Sequence, residues 1–269
     1  MEIKTRQDIG LLTTVNNFAL YKQTVTSFPE QFKTFVIDGS EGLYGLNSFK
    51  FMFKKLKNQK LKWLVLVDED VVFVNPDAVL NIIKSLENNH EDICGIRGGG
   101  VLSWRDKNPH LLNPFFCIFN LEKIYTIYNE KEFLSHQYII PDEFDDDLSA
   151  LPFKFNKESL FEEYYCFFLW LRRNNFKFKF LNAQGNDFEN DLETTKVFDS
   201  NNKILLYHTW YARSYGNNKY HTVRIDRVIN EGKFIKTYSN RTIIWYKNYR
   251  FSILKGIKKI YKPIIKFIK

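Results

Sequence analysis

Lys62-Trp63-Leu64-Val65-Leu66-Val67-Asp68-Glu69-Asp70-Val71-Val72-Phe73-Val74-Asn75-Pro76 joins a dry strand to a cluster of acids. Leu64 to Val67 is an unbroken apolar run rich in β-branched residues, the signature of a strand buried on both faces of a parallel sheet. It stops at Asp68-Glu69-Asp70. An unpaired buried carboxylate is expensive, so acids at the end of such a strand require water, a cationic partner or a metal. Ligands of open α/β sheets gather at the carboxyl ends of strands. In extended chain Asp68 and Asp70 share one face while Glu69 points away. Two hard oxygen donors on one face suit Mg2+ or Mn2+ carrying phosphate oxygens.

Upstream, Ile9 to Val15 reads as a first strand, Phe18 to Phe28 as a helix stopped by Pro29, and Phe32 to Ile37 as a second strand, together a βαβ unit. A basic helix, Ser48 to Leu56, leads into the central strand. Downstream, Val79, Leu80, Ile82, Ile83 and Leu86 share one face of a helix from Pro76 to Glu87. Asp92 to Arg97 is a short strand, followed by the flexible Gly98-Gly99-Gly100, and Asn113 to Leu121 is a strand running into a helix up to Tyr128. Residues 129–158 read as irregular, with a solvated acid run from Asp142 to Asp147. Leu160 to Asn175 reads as a buried helix with Glu162 and Glu163 in its first turn, where the dipole stabilises anions, and Arg172-Arg173 in its last. Phe176 to Leu181 returns as a strand, and Ile204 to His208 is a last strand ending in histidine. No Gly-x-Gly-x-x-Gly fingerprint occurs, which argues against an NAD-binding domain.

The 269 residues are 44% hydrophobic and 17% aromatic, ample for a sizeable core. Abundant Lys, Asn, Ile and Phe suggest an AT-rich bacterial genome. The formal charge of +8 is local: Lys247 to Lys269 carry eight basic residues and no acid, leaving residues 1–246 neutral. A basic body for nucleic acid is therefore not indicated, and no nucleic-acid partner is expected. Cys94, Cys117 and Cys166 are scattered in apolar surroundings and read as buried, reduced thiols of a cytoplasmic protein. The N-terminus shows no signal-peptide pattern, and no run is long enough to span a bilayer.

Asp68-x-Asp70 after its apolar strand resembles the Asp-x-Asp motif of GT-A glycosyltransferases. Asp38-Gly39-Ser40 at the end of the second strand, Glu162-Glu163 with Arg172-Arg173-Asn174-Asn175-Phe176-Lys177, and His208 ahead of Trp210 and Arg213 extend the resemblance over roughly residues 9–213. It implies a bacterial enzyme resembling the large inverting family that includes cellulose and chitin synthases. The resemblance implies a GT-A (Rossmann-like) fold with a mixed, mainly parallel sheet flanked by helices. It implies a nucleotide-sugar donor, UDP-linked, whose diphosphate meets Mn2+ or Mg2+ held by Asp70, Asp68 and His208. Thr13, Asp38, Asp68, Arg97 and Arg213 are the residues expected on the nucleotide-sugar. Glu163, with Glu162 as second candidate, is the expected base that deprotonates the acceptor in an inverting transfer, with retention left open. Blander roles stand beside these: an ordinary turn for Asp38-Gly39, a surface ion pair for Arg97, and helix-dipole charges for Glu162 and Glu163.

In the tail, Ile253, Leu254, Ile257, Ile260, Tyr261, Ile264, Ile265 and Ile268 recur at helical spacing with lysines on the other face. That pattern is a basic amphipathic helix of the kind that lies on anionic lipid. The expected organisation is a catalytic domain over 1–245 and a membrane-association tail over 246–269, with residues 250–269 on the inner face of the cytoplasmic membrane. The acceptor is then a membrane-anchored glycan: lipooligosaccharide, capsule or lipid-linked oligosaccharide. A nucleotidyltransferase and a non-catalytic membrane adaptor are the alternative classes.

Overall fold

The computed structural model describes residues 8–98, 101–102, 104–151, 153–231 and 241–253. Strand β1 (Ile9–Val15), helix α1 (Phe18–Thr24) and strand β2 (Lys33–Asp38) form the expected βαβ unit, with β1 and β2 parallel. A 3-10 turn, Val25–Ser27, prolongs α1 to Phe28, which is extended as a residue before proline must be. Helix α2 (Gly45–Leu56) leads to β3 (Trp63–Val67), buried at every position. Then follow β4 (Val71–Phe73), α3 (Ala78–Asn88), β5 (Ile93–Arg97), β6 (Leu112–Asn120), α4 (Leu121–Ile127), α5 (Glu130–Ser135), α6 (Tyr165–Arg173), β7 (Phe178–Phe180), β8 (Ala183–Gly185), β9 (Thr195–Phe198), β10 (Ile204–His208), α7 (Lys219–Glu231) and β11 (Ile243–Tyr246).

The main sheet runs β11-β2-β1-β3-β6-β5-β7, and β6 alone is antiparallel to its neighbours. This is the mixed, mainly parallel α/β architecture that the apolar runs predict. Side chains of β3 show why such a strand reads as continuous apolar sequence. Trp63, Val65 and Val67 join the core on the α3 side, with Val79, Ile82, Ile83 and Leu86. Leu64 and Leu66 join the core on the other face, with Phe49, Met52 and Phe53 of α2 and the buried length of α6. Successive residues face opposite sides, and both sides are dry.

A second sheet, β4-β10-β9-β8, is antiparallel throughout and was not legible as a sheet from the sequence. Three further expectations need correction. The segment from 129 contains a helix, α5, whose Phe133 is fully buried. The acid run is not simply solvated: Glu143 accepts from Arg173 (2.7 and 2.8 Å), and Asp146 is held by His110 and Arg172. Glu162 and Glu163 precede α6 instead of occupying its first turn, because the buried face starts only at Tyr164. At the sheet edge, β11 pairs with β2 up to Tyr246↔Ile37, one residue past the expected 245/246 boundary. Gly99, Gly100 and residues 254–269, on which the glycine-loop and lipid-binding expectations mostly fall, lie outside the described residues.

Candidate active site

The two sheets meet at the acids. Asp68 N still donates to Phe115 O of β6 (2.9 Å), so the chain leaves the main sheet only after Asp68. A turn closed by Val71 N on Asp68 O (3.3 Å) swings it into β4, which pairs antiparallel with β10 in the register Val71↔His208. Thr209 clamps the Asp70 carbonyl with its N–H (3.0 Å) and its hydroxyl (3.1 Å). That register sets His208 Nε2 3.1 Å from Asp70 Oδ1. One candidate ligand atom each from Asp68, Asp70 and His208 lie within 4.8 Å of one another. The imidazole is packed between the rings of Phe115 and Trp210, both at 4.0 Å, and its Nδ1 is buried without a hydrogen-bond partner.

Electrostatically the cluster is under tension. Burial, with the charges of Asp70 and Glu69, drives the Asp68 carboxyl well above the usual range, against the pull of Arg105 and Arg213. Glu69 is pushed up to about 7 by burial and by Asp70. Its Oε1 accepts from Asn16 N (3.0 Å) and Asn17 N (3.3 Å), so Glu69 fastens the end of β1 to the acid turn. Carboxylates crowded in a dry place resist joint ionisation unless a cation joins them. Two carboxylates and one imidazole fit a divalent ion such as Mn2+ or Mg2+.

Above the acids opens a cleft of about 540 Å3, lined among others by Thr14, Tyr44, Ser48, Arg105, Glu163 and Arg213. Arg213 lies over the Tyr44 ring (4.1 Å) and has no carboxylate partner among the described residues. Arg105 pairs with Glu162 and stacks on Trp210 (4.7 Å). Glu163 makes no side-chain hydrogen bond or ion pair among the described residues. Gly45 makes room for it: φ is +56°, and a Cβ there would come within 2.9 Å of Glu163 Oε1. Glu162, in contrast, is bound to Arg105, and burial raises its carboxyl. A second hollow, of about 490 Å3 at the amino end of β3, carries the Lys62–Glu87 and Lys123–Asp92 ion pairs in its lining.

Three expected nucleotide contacts do not line the cleft. Thr13 is fully buried on the other face of β1, and Thr14 faces the cleft instead, its hydroxyl 2.5 Å from that of Ser48. Asp38 accepts from Ser40 N (3.1 Å) and Oγ (2.6 Å) and pairs with Lys247 (3.3 Å). Arg97 lies over Phe180 (3.7 Å), donates to Pro109 O and points to Asp146 (4.0 Å). Arg105 was missed because it stands in irregular chain between β5 and β6 with no motif around it.

The loop after β10 is also strained. Trp210 and Tyr211 have φ of 60° and 62°, the left-handed region that non-glycine residues avoid at roughly 1–3 kcal/mol each. Arg224 of α7 holds the turn by donating to Trp210 O (3.3 Å) and Thr194 Oγ1 (2.8 Å), while Trp210 Nε1 donates to Thr195 Oγ1 (2.9 Å). This turn places Trp210 on His208 and carries Tyr211 and Arg213 into the cleft.

No protein-family model matches the chain, and no curated protein matches it in sequence. Among solved structures, it is similar to a mannosyltransferase from Pyrobaculum calidifontis solved with GDP-Man and Mn2+, at 10% identity and a TM-score of 0.30, over 46% of this chain and 47% of that one. It thus spans about half the length of that neighbour. A protein from STIV aligns at 10% identity and a TM-score of 0.38, over 74% of this chain and 93% of the other. A glycosyltransferase involved in glycosylation of the major capsid of PBCV-1 aligns at 14% identity and a TM-score of 0.30, over 46% and 68%.

Proposed function

We propose that the chain is a metal-dependent glycosyltransferase of the GT-A type, moving a sugar from a nucleotide-sugar, UDP-linked, to a glycan acceptor. The observation that carries this reading is the convergence of Asp68, Asp70 and His208 at the carboxyl end of β3, on the floor of a cleft that also holds Arg105 and Arg213. Asp68, Asp70 and His208 are the residues that would hold Mn2+ or Mg2+. Bound there, the ion would offset charge developing on the departing nucleoside diphosphate. Arg213, which pulls on the Asp68 carboxyl without forming an ion pair among the described residues, is placed to meet the diphosphate oxygens. Glu163 is the base: its carboxylate takes the proton of the acceptor hydroxyl, whose oxygen bonds to the anomeric carbon as the bond to the diphosphate breaks. Its exposure in the cleft and lack of a partner favour it over Glu162. Residues 1–245 are the catalytic unit in this reading, and the basic tail over 246–269 associates with the inner face of a bacterial cytoplasmic membrane, where a lipid-linked acceptor would reside. Among the described residues no helix is long and apolar enough to cross a membrane.

Thermal unfolding of the full chain in a panel of UDP- and GDP-sugars, with and without Mn2+, tests the reading. A ligand at 100 times its Kd stabilises by about 2.7 kcal/mol, a rise of about 5–10 °C for a chain of this size. The rise is expected only with Mn2+ and nucleotide-sugar together; the absence of any Mn2+-dependent rise across the panel would reject it. With the donor identified, Glu163→Gln should lower kcat by about 100-fold or more while leaving donor binding as in the parent. An equal loss in Glu162→Gln, with Glu163→Gln unaffected, would move the base to Glu162.

A further inference from the structure

Residues 42–67 hold six lysines, Lys50, Lys54, Lys55, Lys57, Lys60 and Lys62, and no acidic side chain. Lys50 pairs with Glu130 and Lys62 with Glu87. Lys54, Lys55, Lys57 and Lys60 are exposed and form no ion pair among the described residues. A helix dipole accounts for cations in the last turn of α2, where Lys54 and Lys55 stand, but not for Lys60 beyond it. Nor does it account for Lys33, exposed at the start of β2. Lys33 Nζ donates to Gln59 Oε1 (2.8 Å), and Gln59 Nε2 donates to the Tyr246 hydroxyl (3.2 Å). Lys55 Nζ lies 5.3 Å from the Phe51 ring and 5.6 Å from the Tyr246 ring. These contacts join the lysines into one facet around Tyr246, the last residue of β11 and the root of the basic tail. Phe251, further into the tail, packs against the same core as Phe51 and Tyr246. Facet and tail root therefore share one side of the main sheet.

We infer that Lys33, Lys54, Lys55, Lys57 and Lys60 form a second lipid-contact surface, on the folded body itself, which binds the phosphates of an anionic bilayer alongside the tail. This rests on the membrane reading of the tail above and not on the transfer chemistry. A patch of unpaired cations is complementary to a sheet of anionic headgroups, and each lysine close to such a surface adds about fivefold in affinity. Two contacts on one rigid side reinforce each other, because the first holds the second at high local concentration. The described start of the tail favours lipid over nucleic acid. Residues 249–253 are helical, and Tyr249 (69% exposed) and Ile253 (62% exposed) lie four residues apart, on one outward face. Apolar groups beside cations suit the acyl boundary of a bilayer. The facet also leaves the cleft open. Gly45 and Ser48, at the start of α2, line the cleft, and Lys57 lies roughly 14 Å further along the helix axis.

Flotation of the full chain with lipid vesicles tests the inference. The parent should bind vesicles of equimolar phosphatidylglycerol and phosphatidylcholine, and not vesicles of phosphatidylcholine alone. The combined variant Lys54→Gln, Lys55→Gln, Lys57→Gln and Lys60→Gln should bind the anionic vesicles about 100-fold more weakly. All four side chains are exposed, and glutamine is about as good a helix former as lysine, so its Tm should match the parent's. A charge-matched control, Lys22→Gln, Lys84→Gln, Lys203→Gln and Lys219→Gln, neutralises exposed lysines away from α2 and should stay within about threefold of the parent. Parent-like binding by the facet variant, an equal loss in the control, or equal binding of the parent to neutral vesicles would overturn the inference. So would tighter binding of the parent to single-stranded RNA than to the anionic vesicles. A tail variant, Lys258→Gln, Lys259→Gln, Lys262→Gln and Lys266→Gln, tests the tail separately: parent-like binding there would reject the tail as an anchor, while a loss in the facet variant would still uphold the facet.

Discussion

Asp70→Asn is expected to leave the protein folded and to reduce its Mn2+ affinity by more than about 100-fold, since even loss of a partner behind a metal ligand costs about 10–100-fold. Metal-dependent transfer should fall to background. The backbone argues for retained structure: Thr209 grips the Asp70 carbonyl, not its side chain, and β4 and β10 stay paired whatever residue stands at 70. The amide oxygen also occupies the place of Oδ1 beside His208 Nε2, now 3.1 Å away. Removing the charge relieves one cause of the raised Asp68 carboxyl, so the metal-free variant should unfold in urea at a midpoint equal to or above the parent's. Calorimetry with Mn2+ and UDP, beside the urea titration, separates the two effects. Parent-like Mn2+ binding in a well-folded Asp70→Asn would remove the metal from the account. A collapse of stability without metal would make Asp70 a structural acid.

Much of the fold was legible because the parallel strands are dry on both sides. Residues of β3 have nowhere to put a polar side chain, and β1 is apolar up to Thr13, so these strands appear in the sequence as apolar runs that end where the site begins. The meeting of Asp70 with His208 was expected from the order of motifs, but its cause was hidden. β4 has three residues with the same apolar letters as β3, and nothing local says that the chain changes sheets between them. Thr13 and Thr14 show the limit of alternation. Period two tells that neighbours face opposite ways, yet which face looks on the cleft depends on where α2 sits, a tertiary fact. Helix α7 carries Ile225, Val228 and Ile229 at helical spacing, but its buried face includes Arg224, and a charge inside an apolar stripe masks the pattern. Arg224 is tolerated there because Asp191 (3.5 Å) and Glu193 (2.8 Å) flank it.

The acid run shows a similar masking, with the largest expected cost to stability. Asp146 stands among acids that look solvated, yet its Oδ2 lies 2.5 Å from His110 Nδ1 and 2.5 Å from Arg172 Nη1, and its Oδ1 accepts from Arg172 Nη2 (3.2 Å). Arg172 also donates to His110 O (2.9 Å), and Arg97 approaches to 4.0 Å. Asp146→Ala strands two guanidiniums and an imidazole nitrogen in a mostly buried place. Breaking such a cluster from one side costs about 3–5 kcal/mol, a fall in Tm of about 10 °C. Asp146→Asn, which keeps an acceptor for Arg172, should lose less. The pH dependence follows from the sign of the shift. Burial acts to raise the Asp146 carboxyl, but the hydrogen bonds from His110 and Arg172 outweigh it and hold the group well below the usual range. A depressed carboxyl contributes stability that is complete above its unfolded value, near pH 4, and is lost as pH falls toward its folded value. The gap between parent and Asp146→Ala, measured by urea unfolding, should therefore be full at pH 6 and narrower by about 1 kcal/mol at pH 3. A gap that is constant over that range would mean that Asp146 acts through packing and not through its charge.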